Sequence, residues 1–131
     1  MRIPSRQLGA RGERRAAWFY RLRGYRIIAR NVRLRAGEID LIVRRGGMLV
    51  FVEVKARQSL FAGHGVDAVD RRKQLQLITL ASAYLGRHPH DGEIRYDVLS
   101  LFWTGWRFVI THFPDAFRPV SDSRRPWMWR V

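Results

Sequence analysis

The 131-residue chain has no cysteine. That excludes disulfide cross-links and cysteine-ligated zinc, and it agrees with a reducing compartment. Carboxylates are scarce, with 11 Asp and Glu against 25 Lys and Arg, for a formal net charge of +14. So basic a domain favours a polyanionic partner, most commonly nucleic acid. The preference for Arg over Lys fits equally well a merely basic protein from a GC-rich genome. No apolar run is long enough to span a membrane. The start, Met-Arg-Ile-Pro-Ser-Arg, lacks the apolar core of a signal peptide. The expected setting is therefore the cytoplasm, with no membrane partner. Repeats and low-complexity segments are also absent. A hydrophobic fraction of 47% argues against disorder, and the length suits one domain with a single core.

The most informative stretch runs from Gly37 to Arg57. Two segments rich in Ile, Leu and Val flank Gly46-Gly47, a dipeptide suited to a two-residue hairpin turn. Counting outward from that turn pairs Arg45 with Met48, Val43 with Val50, Leu41 with Val52, Asp40 with Glu53 and Glu38 with Lys55. One face then carries Glu38, Asp40, Ile42, Phe51, Glu53 and Lys55. The other carries Ile39, Leu41, Val43, Val50, Val52 and Val54, an aliphatic set that belongs in a core.

The first face is anomalous. It sets two carboxylates roughly 5 Å apart at Cβ, where like charges destabilise a sheet. A divalent cation held by Asp40 and Glu53 would compensate. So would neighbouring arginines and Lys55 on an exposed face, and the sequence leaves both open. A three-residue turn would shift the register and put Asp40 and Glu53 on opposite faces.

Asp40 with Glu53-Val54-Lys55 resembles the Asp…Glu-x-Lys signature of the restriction-endonuclease-like nucleases. A longer set sharpens the likeness: Gly9, Gly12-Glu13, Gly24-Tyr25, Asn31, Gly37 to Ile42, Phe51 to Lys55, Val69, Lys73, Ala81 and Tyr84-Leu85. This set is similar to the small bacterial YraN-like family, over about residues 5 to 113. The resemblance implies an α/β fold, a mixed sheet flanked by helices on the restriction-endonuclease-like plan. It implies a metal-dependent nuclease, with Mg²⁺ or Mn²⁺ held by Asp40, Glu53 and the carbonyl of Val54. Lys55 would orient the attacking water or stabilise the transition state, and Glu13 would steer a second metal or a water. Arg33, Arg35, Arg57, Lys73 and Gln74 are the candidates for nucleic-acid contact, with DNA the first expectation and the charge gathered around the cleft. A homodimer is a further expectation, since junction-cleaving relatives of this fold act as dimers. The alternative is a non-catalytic nucleic-acid-binding module that keeps the fold; a basic partner in a larger assembly is a third reading.

Along the chain, Ser5 to Arg23 reads as a helix with Ser5 as N-cap and Gly24 closing it. Glu13 lies on it among Arg11, Arg14 and Arg15, which also suits a plain surface ion pair. Tyr25 to Leu34 alternates as a strand, Ile27 and Ala29 on one side. Gln58 to Gly65 is a loop containing His64. Val66 to Arg87 is a helix, stopped by Pro89. Glu93 to Phe102 follows as a strand parallel to its predecessor, as a strand–helix–strand unit usually is. Trp106 to Thr111 turns back as a hairpin. Asp97 suits an ion-pair or hydrogen-bond role, His112 has no partner in sequence, and His88-Pro89-His90 reads as a polar loop. The domain is expected to span 1–113, with 114–131 an irregular basic and aromatic tail.

Overall fold

A computed structural model describes residues 2–58, 70–122 and 125–129. The element order is α1 (Ser5–Arg21), β1 (Arg26–Leu34), β2 (Gly37–Arg45), β3 (Met48–Arg57), α2 (Arg71–Arg87), β4 (Glu93–Trp103), β5 (Phe108–Phe113), β6 (Pro119–Asp122) and β7 (Arg125–Trp129). Strands β1 to β5 form one sheet in sequence order. All neighbours are antiparallel except β3 and β4, which α2 connects in parallel. The fold is thus α/β, a five-stranded mixed sheet with two helices, consistent with a restriction-endonuclease-like core.

Each helix covers one face of the sheet. Ala16, Ala17, Phe19 and Tyr20 of α1 pack on Leu41, Val43, Val50, Val52, Leu99 and Leu101. On the other face Leu77, Ile78, Leu80, Ala81 and Tyr84 of α2 pack on Ile39, Ile42, Phe51, Tyr96 and Val98. Both faces are therefore largely apolar, and Asp40 and Glu53 sit where one end of the sheet leaves the core.

The turn at Gly46-Gly47 sets the expected register, from Arg45 opposite Met48 to Leu41 opposite Val52. Gly46 supplies the positive φ, 58°, that a two-residue hairpin needs. Gly24 (φ 87°) closes α1: Tyr25 N donates to Tyr20 O and Gly24 N to Arg21 O. Ser5 does not cap α1, which it begins, and no side chain caps that end. Helix α2 is capped by Asp70, whose carboxylate accepts from Lys73 N at 3.0 Å.

Alternation in β1 and β2 departs from expectation. Ile27 packs with the α1 face and Ala29 with the α2 face, because the register shifts between them. Further along, Ala29 and Val32 meet on the α2 face, as do Ile42 and Ile39, three residues apart in each strand. Ile39 thus leaves the aliphatic face assigned to it. Between these residues lies Asn31 with φ 51°, a left-handed conformation that Asn tolerates and that turns the strand about its axis. The β1–β2 register carries Asn31 past Asp40 at this point.

Beyond β5 the described residues are not all irregular. Phe117 is 2% exposed and stacks on Tyr96, so the packed core extends past residue 113. Strands β6 and β7 pair antiparallel as a separate two-stranded sheet. His64, the Gln58–Gly65 loop beyond Gln58, and Val66 to Val69 lie outside the described residues.

Candidate active site

The β2–β3 ladder ends at Leu41 and Val52. One residue further, Asp40 Oδ2 accepts the backbone N–H of Val54 at 2.9 Å, replacing a ladder bond with a side-chain one. The carboxylate is therefore drawn in between the strands. Burial pushes its pKa up, the charge of Glu53 pushes it further, and the Val54 N–H opposes them; Glu13 and Glu38 add to the rise, which reaches about 7.

Glu53 lies on the same strand face as Phe51, towards α2, and its Oε1 is 3.8 Å from Lys73 Nζ. Lys55, one pleat on, is half-buried. Burial lowers its pKa, as do Lys73 and Arg57, while Glu53 raises it. Lys55, Lys73 and Glu53 thus share one environment, and the charge of Glu53 also acts on Asp40.

Glu13 comes from the other side of the sheet. Gly12 allows this, because a Cβ there would lie 2.7 Å from the Cβ of Ala56. Only glycine lets α1 press so closely on the end of β3. Burial raises the pKa of Glu13, as do Glu38 and Glu53; a hydrogen bond from Asn31 and the charge of Arg30 oppose the rise. Glu13 is therefore electrostatically coupled to the site. Among the described residues no three or more His, Cys, Asp or Glu converge as a metal cluster.

The donor set expected from the sequence is Asp40, Glu53 and the Val54 carbonyl. Two carboxylates, a backbone oxygen and open positions suit a hard cation such as Mg²⁺ or Mn²⁺, which keeps several waters. The raised pKa of Asp40 marks a charge that lacks compensation, which a cation would supply. The residues present fit a metal.

Several predicted contacts share this end of the sheet. Arg33 and Arg35 are exposed beside an open groove of about 410 Å³ lined by Arg33, Leu34, Arg35, Ala36, Gly37 and Glu38. Arg33 Nε lies 3.9 Å from Glu38. Arg71 and Arg72 are exposed, and Lys73 and Gln74 half-buried, at the start of α2, the helix that follows β3. Arg57, the other expected contact, is buried at 8% exposure. The basic charge is not confined to this end: Arg26, Arg44 and Arg45 are exposed at the opposite one.

Sequence reasoning gave Asn31 no role. The signal was there, since a residue prone to left-handed geometry inside a strand marks a local break. It also missed the extent of the Asp97 network, on the α1 face. Asp97 is fully buried and accepts five hydrogen bonds: from Tyr20 Oη (2.8 Å), Arg95 Nε (2.7 Å), Arg95 Nη2 (2.8 Å), His112 Nε2 (2.9 Å) and Asp115 N (3.0 Å). Burial raises its pKa, but these bonds outweigh it and hold it at about 2. The hydrogen-bond role expected for Asp97 stands, and His112 has its partner. His88 stacks on Tyr84 and His90 donates to Gly47 O, which accounts for both as loop residues.

A profile of the uncharacterised protein family UPF0102 matches residues 12–101. A UPF0102 protein of Symbiobacterium thermophilum is 57% identical over 98 residues, covering 74% of this chain and 83% of the relative. One from Parvibaculum lavamentivorans is 44% identical over 115 residues, covering 86% and 83%. One from Chlorobium phaeobacteroides is 39% identical over 118 residues, covering 85% and 93%.

Proposed function

The chain belongs to the uncharacterised family UPF0102, the family its motifs resembled, and from its carboxylate site we propose that it is a metal-dependent nuclease hydrolysing phosphodiester bonds in nucleic acid. The observation that carries this reading is Asp40: a carboxylate held on the Val54 N–H and destabilised by burial and by Glu53, the same Glu53 whose charge acts on the Lys55 ammonium. A purely structural ion pair would place a cation against Asp40 and lower its pKa. Here the carboxylates are arranged against each other.

Asp40, Glu53 and the Val54 carbonyl would hold Mg²⁺ or Mn²⁺, which when bound lowers the pKa of its water and neutralises charge on phosphate oxygens. Lys55 Nζ donates hydrogen bonds to the attacking water or to a phosphate oxygen as negative charge grows there. Its lowered pKa brings its proton nearer to transfer. Lys73 supports that geometry through Glu53. The exposed Arg33 and Arg35 hold the nucleic-acid backbone without reading sequence.

The test compares wild type, Asp40→Ala and Lys55→Ala. Cleavage of single-stranded, duplex and branched DNA and of RNA is followed in Mn²⁺, and metal binding by calorimetry. Asp40→Ala should lose both metal binding and cleavage. Lys55→Ala should keep the metal and lose about 10²-fold or more in rate, because its contact acts mainly in the transition state. If wild type cuts nothing, or Lys55→Ala cuts as well as wild type, the nuclease reading fails. A nucleic-acid-binding module then takes its place.

A further inference from the structure

The β4–β5 hairpin carries the most exposed large hydrophobic side chain among the described residues. Trp106 is 77% exposed. The turn around it is well tied. Thr104 N and Thr104 Oγ1 donate to Arg107 O at 2.9 and 3.1 Å, and Arg107 N donates back to Thr104 Oγ1 at 3.3 Å. Gly105 takes φ 115°, and Trp103 and Phe108 brace the base edge to face at 5.0 Å. A large indole is therefore held out on a fixed platform rather than left at the tip of a loose loop. The fixed indole presents a flat apolar face with a polar edge to whatever approaches the hairpin.

Its position narrows the contact. Strands β3 and β4 are parallel, with Lys55 beside Ser100 and Arg57 beside Phe102. The hairpin thus projects from the same end of the sheet as Asp40, Glu53 and Lys55. Trp103 is three residues past Ser100, roughly 10 Å at strand rise, and Trp106 lies beyond it. Such a span corresponds to a few stacked nucleotides at about 3.4 Å each.

The chemistry around the ring is cationic. The Arg107 guanidinium lies 5.5 Å from the Trp106 ring centroid. Beside the hairpin's turn a cavity of about 110 Å³ is lined by Arg2, Gln58, Trp103, Thr104 and Gly105. Gln58 ties the N-terminal segment to the end of β3, accepting from Ile3 N at 2.9 Å and donating to Ile3 O at 2.6 Å. That places Arg2 beside the same hairpin. An exposed indole with a guanidinium beside it and a second beside the same hairpin suits an unpaired nucleobase: the ring takes the base, the cations the phosphates. A stacked duplex offers no free base face along its length.

We propose that the β4–β5 hairpin is a base-stacking platform, with Trp106 taking an unpaired nucleobase and Arg107 and Arg2 its phosphates, so that the protein engages nucleic acid with a single-stranded segment. This rests on the nuclease reading only in assigning what lies beside the platform; the platform itself binds with or without cleavage.

The experiment measures anisotropy of a labelled 20-nucleotide single strand and of a 20-base-pair duplex, both in EDTA, for wild type, Trp106→Ala and Trp106→Phe. Trp106→Ala should weaken single-strand binding about 5- to 100-fold, as loss of one stacked base does. Trp106→Phe should restore most of it, and duplex affinity should change less than twofold in either. The salt dependence of binding should keep its slope in Trp106→Ala, since no phosphate contact is lost. Equal weakening for single strand and duplex, no weakening, or no binding of either probe overturns the platform. So does conversion of a dimer to a monomer by Trp106→Ala with single-strand affinity unchanged, which would make the hairpin a contact between copies of this chain. Because metal is absent, a failure here is distinct from a failure to cleave in Mn²⁺.

Discussion

Replacing Asp40 by Asn tests the central feature of the site without any substrate. The amide keeps an oxygen that can accept the Val54 N–H, so the local strand geometry survives while the charge is removed. In the folded protein the Asp40 carboxyl is raised from its ordinary 3.8 to about 7. The folded state therefore holds a proton that the unfolded chain releases. The sign follows: wild type has the full benefit below pH 3.8 and loses it as the pH rises through about 7. A shift of that size corresponds to roughly 4 kcal/mol at the alkaline limit, at about 1.4 kcal/mol per pH unit. Asp40→Asn carries no such dependence. Urea unfolding in EDTA at several pH values from 5 to 9 should show the variant gaining on wild type by a few kcal/mol, with the gain levelling off above pH 7 to 8. Adding Mg²⁺ or Mn²⁺ at pH 8 should then stabilise wild type and not the variant, since only wild type has a charge to compensate. Parallel stability curves for the two proteins across this range would refute the argument, as they would mean that Asp40 ionises without penalty.

Two further predictions concern the scaffold. The Asp97 carboxyl is held at about 2, below its ordinary 3.8, so its stabilisation is present above pH 3.8 and is lost as the pH falls through about 2. Asp97→Ala leaves Arg95, His112 and Tyr20 without their shared acceptor and should cost about 3–5 kcal/mol at pH 7 in urea unfolding; a cost under about 1 kcal/mol would show that the network is dispensable. Gly12→Ala forces a Cβ against Ala56, 2.7 Å away, and should destabilise the protein by about 1–3 kcal/mol. Pairing it with Ala56→Gly should recover most of that loss, and no recovery would mean the strain lies elsewhere.

What the sequence determined by itself is local and repetitive. Gly46-Gly47 allows a two-residue turn, and that turn sets the β2–β3 register by counting alone. Gly24 ends α1 because a left-handed residue is needed there. The parallel pairing of β3 with β4 follows from the helix between them, and Asp40, Glu53 and Lys55 stand out because charges interrupt apolar strands. The resemblance then identified the family. The tertiary structure alone decided what depends on distant partners or on a break in the repeat. Asn31 turns β1 and shifts Ile39 to the opposite face, which a strict period of two cannot foresee. Pairing Asp97 with Tyr20 and His112 joins residues 77 and 15 positions away, through a sheet and a helix that neither strand encodes alone. Glu13 reaches the site because Gly12 lets α1 touch Ala56. The pKa of Asp40 is the clearest case: the sequence shows which carboxylate it is, but burial and the nearness of Glu53, Glu13 and Glu38 exist only once the helix and the strands have packed.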